Sequence, residues 1–390
     1  MNGNFHKQSL TIGKLFGIKI RFHLSWLIIF VLVAWTVIDG YLPVYFRGLS
    51  LKIRIVDGLI VTVLFFASVL AHELAHSLTA RRYGIRIQRI TLFLFGGAAE
   101  LQREPSGAKA ELMMTIAGPL TSIVTALWFG AIWLASMHWH IQTIEIIAGL
   151  VAVLNLTVGI FNLVPAYPLD GGRIFRALIW LKTKDIVSAT RVASYLSYVL
   201  SYGLIALGVL EFMSAGGVVN GIWSVLLGLF LHQLTRVSYR QTVEQKQLRS
   251  LKVEDIMEKD YLSVPAATSI DDYLNRYLLQ LEQYDSLVMN HEEAVGCLSA
   301  SRAMSATNTS EPVTRVMVPI AGRMRLGLRD NALKAVRLME YYGIRILPVY
   351  NGTHLIGAVT LGQIGAYLHL KRTLSKKILP DAQRGIDGAS

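Results

Sequence analysis

Residues 59–76 read LIVTVLFFASVLAHELAH, an apolar run that ends in two histidines with a glutamate between them. An apolar stretch of this length crosses the roughly 30 Å hydrocarbon core of a bilayer as a helix. Residues four apart lie on one face of a helix, so His72 and His76 can share a metal ion, with Glu73 beside them. Ionisable side chains are costly at membrane depth and usually functional there. The stretch therefore predicts a membrane helix that carries a metal site.

The whole chain has the composition of a membrane protein. Of its 390 residues, 53% are hydrophobic and 16% are charged, which is too apolar for an ordinary soluble enzyme of this length. Six stretches are long enough to span a bilayer. They cover about residues 22–38, 55–80, 110–136, 142–164, 193–213 and 218–235. We therefore expect an all-α membrane domain of six transmembrane helices in the lipid bilayer.

The basic residues indicate how these spans are oriented. The formal net charge is +12, and most lysines and arginines of the membrane part lie before span one, between spans two and three, and between spans four and five. By the positive-inside rule, these loops and both termini are cytoplasmic. The expected location is the plasma membrane, with several passes. Basic loops explain much of the charge, so no nucleic-acid partner is expected. The single Cys297 excludes an internal disulfide.

After Tyr239 the composition changes to that of a soluble domain, with mixed charged and apolar segments. We predict a membrane domain over 1–239, a linker over 240–250, a repeated unit over 251–372, and a disordered tail over 373–390. Within the repeat, Val253-Glu-Asp-Ile-Met257 returns as Thr314-Arg-Val-Met317. The two copies cover about 251–310 and 311–372. Each has the pattern of a βαββα unit that pairs with its twin.

A catalytic zinc ion needs a third protein ligand and an open position for water. Acidic residues are scarce in the apolar stretches, and Asp170 stands at the end of the fourth, on the same side of the membrane as His76. Asp170 is therefore a candidate ligand. The alternative is that it caps the next helix, with Gly171 and Gly172 providing the turn.

Two motifs resemble the site-2 protease family of intramembrane zinc metalloproteases. His72 to His76 is similar to the family's H-E-x-x-H, and residues 162–171, NLVPAYPLDG, to its N-x-x-P-x-x-x-L-D-G. Ala117-Gly-Pro119 is similar to the motif of the family's third span. The resemblance implies that Asp170 is the third zinc ligand, and that Asn162 helps to hold the substrate carbonyl or its oxyanion.

The resemblance also implies a reaction, the hydrolysis of peptide bonds in transmembrane segments of single-span membrane proteins. Zinc lowers the pKa of bound water toward neutrality, and Glu73 takes the proton as general base. A substrate helix must unwind first, because its peptide bonds are hydrogen-bonded and shielded. We predict that residues 87–101 form a hairpin or re-entrant loop that offers an edge to the extended substrate. The alternative is a plain cytoplasmic loop.

The soluble repeat resembles a tandem pair of cystathionine β-synthase (CBS) domains, which are α/β modules that often bind adenine nucleotides. The resemblance implies a cytoplasmic regulatory unit, a homodimer through it, and a nucleotide site. The family commonly places an aspartate three residues after a threonine or serine, where it holds the ribose. Here Gln363 follows Thr360 and Arg302 follows Ser299. The alternative is a docking or dimerising module that binds no ligand.

A second function class is compatible with the same residues. A metal ion transporter or channel could bind its permeating ion with His72, His76 and Asp170 and be gated by the CBS pair. Glu73 favours hydrolysis, because a permeation site has no need of a carboxylate that is not a ligand. The six spans also lack the inverted repeats typical of transporters.

Overall fold

The computed structural model describes residues 9–85, 87–93, 96–101, 105, 107–214, 217–281 and 284–378. The chain divides into two compact units, Met1–Arg240 and Gln241–Ser390. The predicted disordered tail begins at 373, but the last helix continues to Ile378. The rest of that tail, from 379 onward, lies outside the described residues.

The first unit is predominantly helical. Its helices are α1 Leu24–Trp35, α2 Leu42–Tyr45, α3 Leu51–Arg82, α4 Ala108–Trp139, α5 Gln142–Leu163, α6 Asp170–Thr183, α7 Ile186–Phe212 and α8 Val218–Ser250, whose residues from Gln241 onward belong to the second unit. A π-helical turn, Thr36–Tyr41, joins α1 to α2. Among the described residues, six segments are long and apolar enough to cross a membrane: α1 with α2, α3, α4, α5, α7 and α8. The predicted six spans are confirmed, and α6 is a shorter helix between the fourth and fifth.

A four-stranded sheet accompanies the helices. Its strands are β1 Ser9–Leu15, β2 Ile18–His23, β3 Ile87–Phe93 and β4 Gly96–Leu101, in the order β1-β2-β3-β4. The antiparallel pair of β3 and β4 confirms the predicted hairpin over 87–101. The antiparallel pair of β1 and β2 was not predicted, although Ile18 and Ile20 alternate with charged residues as a half-buried strand does.

The sheet packs against helices α3 and α4. Its inner face contributes Ile18, Ile20, Ile87 and Ile90, all at most 5% exposed. These side chains form one apolar cluster with residues of α3 and α4: Leu70, Leu74, Ala80 and Met114. Strand β3 follows α3 after a short turn, so the burial of this face fixes the hairpin beside the end of α3.

The second unit contains two similar halves. Its strands are β5 Ser263–Pro265, β6 Asp285–Asn290, β7 Glu293–Ser299, β8 Val318–Pro319, β9 Leu326–Gly327, β10 Ile346–Asn351 and β11 His354–Thr360, and its helices are α9 Ile270–Asp272, α10 Ala300–Met304, α11 Ala332–Tyr342 and α12 Leu361–Ile378. A π-helical stretch, Tyr273–Gln280, extends α9. Each half has a short parallel strand, a helix, an antiparallel hairpin and a final helix, which is the predicted α/β repeat.

Cys297 lies within this unit on β7. Its side chain is 1% exposed, in the core shared by the two halves. Burial raises the pKa of the Cys297 thiol to about 12, so the reactive thiolate is scarce at neutral pH. The thiol is therefore a structural, unreactive part of the core.

Candidate metal centre

Three side chains from α3 and α6 meet at one point. The Nε2 atoms of His72 and His76 lie 3.1 Å apart, and Asp170 Oδ2 lies 3.2 Å from each. Four-coordinate zinc with bonds of about 2.0–2.1 Å holds its ligand atoms about 3.3 Å apart. The three donors are therefore spaced as zinc ligands are. Among the described residues, they are the one group of three or more His, Cys, Asp or Glu that could hold a metal ion.

Helix α4 fixes the orientation of both imidazoles. Nδ1 of His76 lies 2.8 Å from the carbonyl oxygen of Met114, and Nδ1 of His72 lies 2.9 Å from the hydroxyl of Ser122. A carbonyl can only accept, so His76 Nδ1 carries the hydrogen and Nε2 presents its lone pair to the metal position. Such outer partners orient ligands and tune their affinity for metal. A methionine backbone carbonyl and a serine hydroxyl are not typical zinc ligands, and neither contact was predicted from the sequence.

Gly118 lies between Met114 and Ser122 on the same face of α4. A Cβ built on Gly118 would lie 2.6 Å from His72 Nε2, and it would come still closer to His76 Nε2. These are the two nitrogens that point to the metal position. The bare glycine therefore leaves the space that an ion between the imidazoles requires, and the residues present fit a zinc ion. The motif at 117–119 indicated this helix in the sequence analysis, but not that its glycine leaves space beside the imidazoles.

Asp170 is not a helix cap. It is the first residue of α6, the capping position before it is Leu169, and no side chain caps that end. The Asp170 carboxylate instead faces His72 and His76. Of the two interpretations left open by the sequence, the geometry supports a ligand role.

The other two predicted site residues lie on the helices next to these ligands. Glu73 is half-buried on α3, directly after His72. Asn162 is half-buried in the last turn of α5, and residues 164–169 connect that turn to Asp170. The structure thus brings together three donors that are spaced for a metal ion, with the Glu73 carboxylate next to one of them in the chain and Asn162 eight residues before Asp170.

Comparisons with known proteins agree with this chemistry. The model of peptidase family M50 matches residues 60–138 and 130–207. A Mycobacterium tuberculosis protein that bears the name zinc metalloprotease Rip3 is 34% identical over 274 residues, which cover 70% of this chain and 69% of that protein. A Synechocystis protein that bears the name zinc metalloprotease sll0528 is 34% identical over 72% of each chain. A solved site-2 protease from Methanocaldococcus jannaschii matches 58% of this chain and 94% of its own with 26% identity and a TM-score of 0.39.

Proposed function

Because this chain belongs to peptidase family M50 and is an intramembrane zinc metalloprotease, we propose that His72, His76 and Asp170 bind its zinc ion and that Glu73 is its general base. The observation that carries the proposal is the spacing of the three donors, within 4.8 Å of one another, together with the contacts by which α4 orients both imidazoles. The protein is a multi-pass membrane protein that acts on membrane proteins. We propose further that it lies in the plasma membrane with both termini cytoplasmic. Tags on the two termini of the protein in intact cells should then become accessible only after permeabilisation.

Each residue of the site has a separate role in the proposed hydrolysis. Zinc, when bound, supplies a water molecule of lowered pKa and a Lewis acid for the peptide carbonyl. Glu73 accepts the proton of the attacking water and returns it to the leaving amine. The carboxamide of Asn162 donates a hydrogen bond to the carbonyl oxygen as negative charge develops on it. Helix α4 holds the Nδ1 atoms of His72 and His76, so that their Nε2 atoms face the metal position.

The substrates that we propose are the transmembrane segments of single-span membrane proteins. A cleavable peptide must leave the helical state and find other partners for its backbone. Strand β4 stands last in the order β1-β2-β3-β4, so one of its edges faces no strand of this sheet. An unwound segment can add to that edge as an extended strand. Loss of cleavage without loss of zinc after β4 is disrupted would support this path.

Reconstitution in proteoliposomes tests the proposal. We expect the purified protein to hold one zinc ion per chain and to cut a single-span substrate within its membrane segment. Removal of zinc with a chelator should stop cleavage, and added zinc should restore it. The measurement is mass spectrometry of the products beside zinc quantification. If the protein binds zinc but cuts no member of a broad panel, the transporter alternative moves ahead, and zinc flux is measured next.

We propose that the second unit regulates the protease without the nucleotide contact expected of a CBS pair. Gln363 stands where the family's aspartate would hold a ribose, and its Oε1 accepts the N–H of Thr360 at 2.8 Å. The N–H of Gln363 in turn donates to Thr360 Oγ1 at 3.2 Å. The side chain is thus engaged at the start of its own helix, α12.

A cavity of about 960 Å³ lies elsewhere in the second unit, at the turn ends of the two hairpins. Its lining includes Tyr261, Tyr350 and His354, but also Glu292 and Glu293. It is large enough for a small molecule. Glu293 accepts from Arg325 at 3.3 Å, so the like-charge repulsion that disfavours a phosphate group there comes chiefly from Glu292.

We therefore expect titration of the full chain with ATP, ADP or AMP to give no saturable heat of binding. The measurement is isothermal calorimetry, and a saturable heat with any of the three would restore the nucleotide hypothesis.

Light scattering of the same sample tests the homodimer, which exposed apolar side chains on α11 and α12 support. Tyr341 is 71% exposed and Leu370 is 58% exposed. A strictly monomeric chain would contradict the dimer.

A further inference from the structure

The connection from α5 to α6, residues 164–169, carries Asp170 at its end and is tightly folded. The N–H of Ala166 donates to the carbonyl of Val164 at 2.7 Å, and that of Leu169 to the carbonyl of Ala166 at 2.8 Å. The N–H of Arg173 then donates to the carbonyl of Leu169 at 2.9 Å, which starts α6. With so few free torsions between the turn and Asp170, a shift of the turn moves the carboxylate.

Tyr167 stands in the middle of this turn and is held through its backbone by two helices that carry no ligand. Its N–H donates to Ser197 Oγ on α7. Its carbonyl oxygen lies 2.7 Å from Thr235 Oγ1 on α8, the shorter of the two carbonyl contacts of that hydroxyl, the other being Leu231 of α8 at 2.8 Å. The hydroxyl of Ser197 donates to the carbonyl of Ala193 at 2.9 Å, which leaves a lone pair for Tyr167. Tyr167 is 5% exposed, and both hydroxyl residues are 0% exposed.

The side chain of Tyr167 is held as well. Its hydroxyl accepts from Arg176 Nη1 at 2.8 Å, and the guanidinium lies 4.8 Å from the ring centroid. Arg176, on α6, is paired with the fully buried Glu111 of α4. Gly172 in the first turn of α6 packs so closely that a Cβ there would collide with the Tyr167 nitrogen. Tyr167 therefore joins α6, α7 and α8, and through Arg176 also α4, at a point three residues before Asp170.

The two backbone contacts are chemically specific. Buried backbone groups outside a helix or strand need a partner, because membrane interiors provide no water to replace one. Ser197 and Thr235 supply the acceptor and the donor that the N–H and the carbonyl of Tyr167 require. Loss of either hydroxyl removes one partner of the turn, so we expect the turn to shift and Asp170 to shift with it.

We propose that Ser197 and Thr235 are positioning residues for the zinc ligand Asp170, acting through the backbone of Tyr167. The inference rests on the proposed function, since it takes Asp170 as a ligand. Helices α7 and α8, which contribute no donor to the centre, thereby set the geometry of its third ligand. A metal centre tolerates little displacement of a ligand, because coordination distances are fixed within about 0.2 Å.

The test is the zinc affinity of the purified full chain, measured by competition with a chromophoric chelator. Thr235→Val keeps the shape of the side chain and removes the hydroxyl. We expect it to bind zinc about 10- to 100-fold more weakly, the usual effect of losing an outer partner of a ligand. Ser197→Ala should act in the same direction. Thr235→Ser keeps the hydroxyl and should restore the affinity of the wild type.

Matched controls separate positioning from general loss of packing. Thr190 and Ser201 lie on α7, are 0% exposed, and bond to carbonyls of their own helix at 2.7 and 2.9 Å. Thr190→Val and Ser201→Ala should keep the affinity of the wild type. Equal weakening in these controls would overturn the inference, and so would unchanged affinity in Thr235→Val and Ser197→Ala.

Asp170→Asn distinguishes this inference from the proposal on which it rests. If this variant keeps its zinc, the assignment of Asp170 as a ligand fails, and the positioning role fails with it. If Asp170→Asn loses zinc while Thr235→Val and Ser197→Ala bind it normally, the ligand assignment stands and only the positioning role is wrong.

Discussion

Glu73→Gln should bind a full complement of zinc and cleave its substrate about 10²- to 10⁴-fold more slowly, the range that a general base contributes. Glutamine has the size of glutamate and cannot accept the proton of the attacking water. Zinc should remain because the three donors, His72, His76 and Asp170, are unchanged. The measurement is the rate of substrate cleavage in proteoliposomes, with zinc quantified in the same preparation.

A matched control is Glu145→Gln. Glu145 lies in the first turn of α5, at the other end of that helix from Asn162, and its neutralisation should leave the cleavage rate unchanged. Cleavage by Glu73→Gln at the wild-type rate would show that another group takes the proton. Loss of zinc from Glu73→Gln would instead make Glu73 part of the metal site.

Gly118→Ala should lose both zinc and cleavage. The added methyl group would occupy the position between the two Nε2 atoms of His72 and His76, so we expect zinc affinity to fall by more than the roughly 100-fold that loss of an outer partner costs. Alanine is a better helix former than glycine by about 1 kcal/mol. Weaker folding of α4 would therefore not explain the loss. The measurement is zinc per chain after gel filtration.

Gly130→Ala provides the control on the same helix. A Cβ on Gly130 meets nothing within 4 Å, so this variant should keep zinc and activity. Full zinc content in Gly118→Ala would mean that the imidazoles move aside to admit both the methyl group and the ion. The bare glycine on α4 would then not be required for metal binding.

The meeting of His72, His76 and Asp170 was predictable because their spacing is local or lies in a compact motif. His72 and His76 are one helical turn apart, and Asp170 belongs to a segment of ten residues that also holds Asn162. The partners of the imidazoles were not predictable. Ser122 is 50 residues from His72 in the chain, and Met114 contributes a backbone carbonyl, which any residue has. Contacts of that kind depend on how α4 packs against α3, which periodicity does not determine.

The fold shows the same limit. Long apolar runs predicted all six spans, because length and hydropathy suffice for a membrane helix. Strands β1 and β2 were missed because their short alternating pattern adjoins the first apolar run. The clearest signal was Ile18 and Ile20 on either side of Lys19. The contacts of the Tyr167 backbone with Ser197 and Thr235 were also missed, since a serine on α7 and a threonine on α8 look like ordinary membrane-helix residues.

The absence of a side chain at Gly118 has a consequence for reading genomes. Enzymes of this kind are recognised by the residues that they possess, His72, Glu73, His76 and Asp170 in this chain. The geometry adds a second criterion, that the position of Gly118 must carry no side chain. A gene that encodes every ligand but has alanine, serine or valine at the place of Gly118 should specify a metal-free pseudoenzyme. A search for the ligand motifs would classify such proteins as proteases. The residue at the place of Gly118 in the third apolar helix would identify them as inactive.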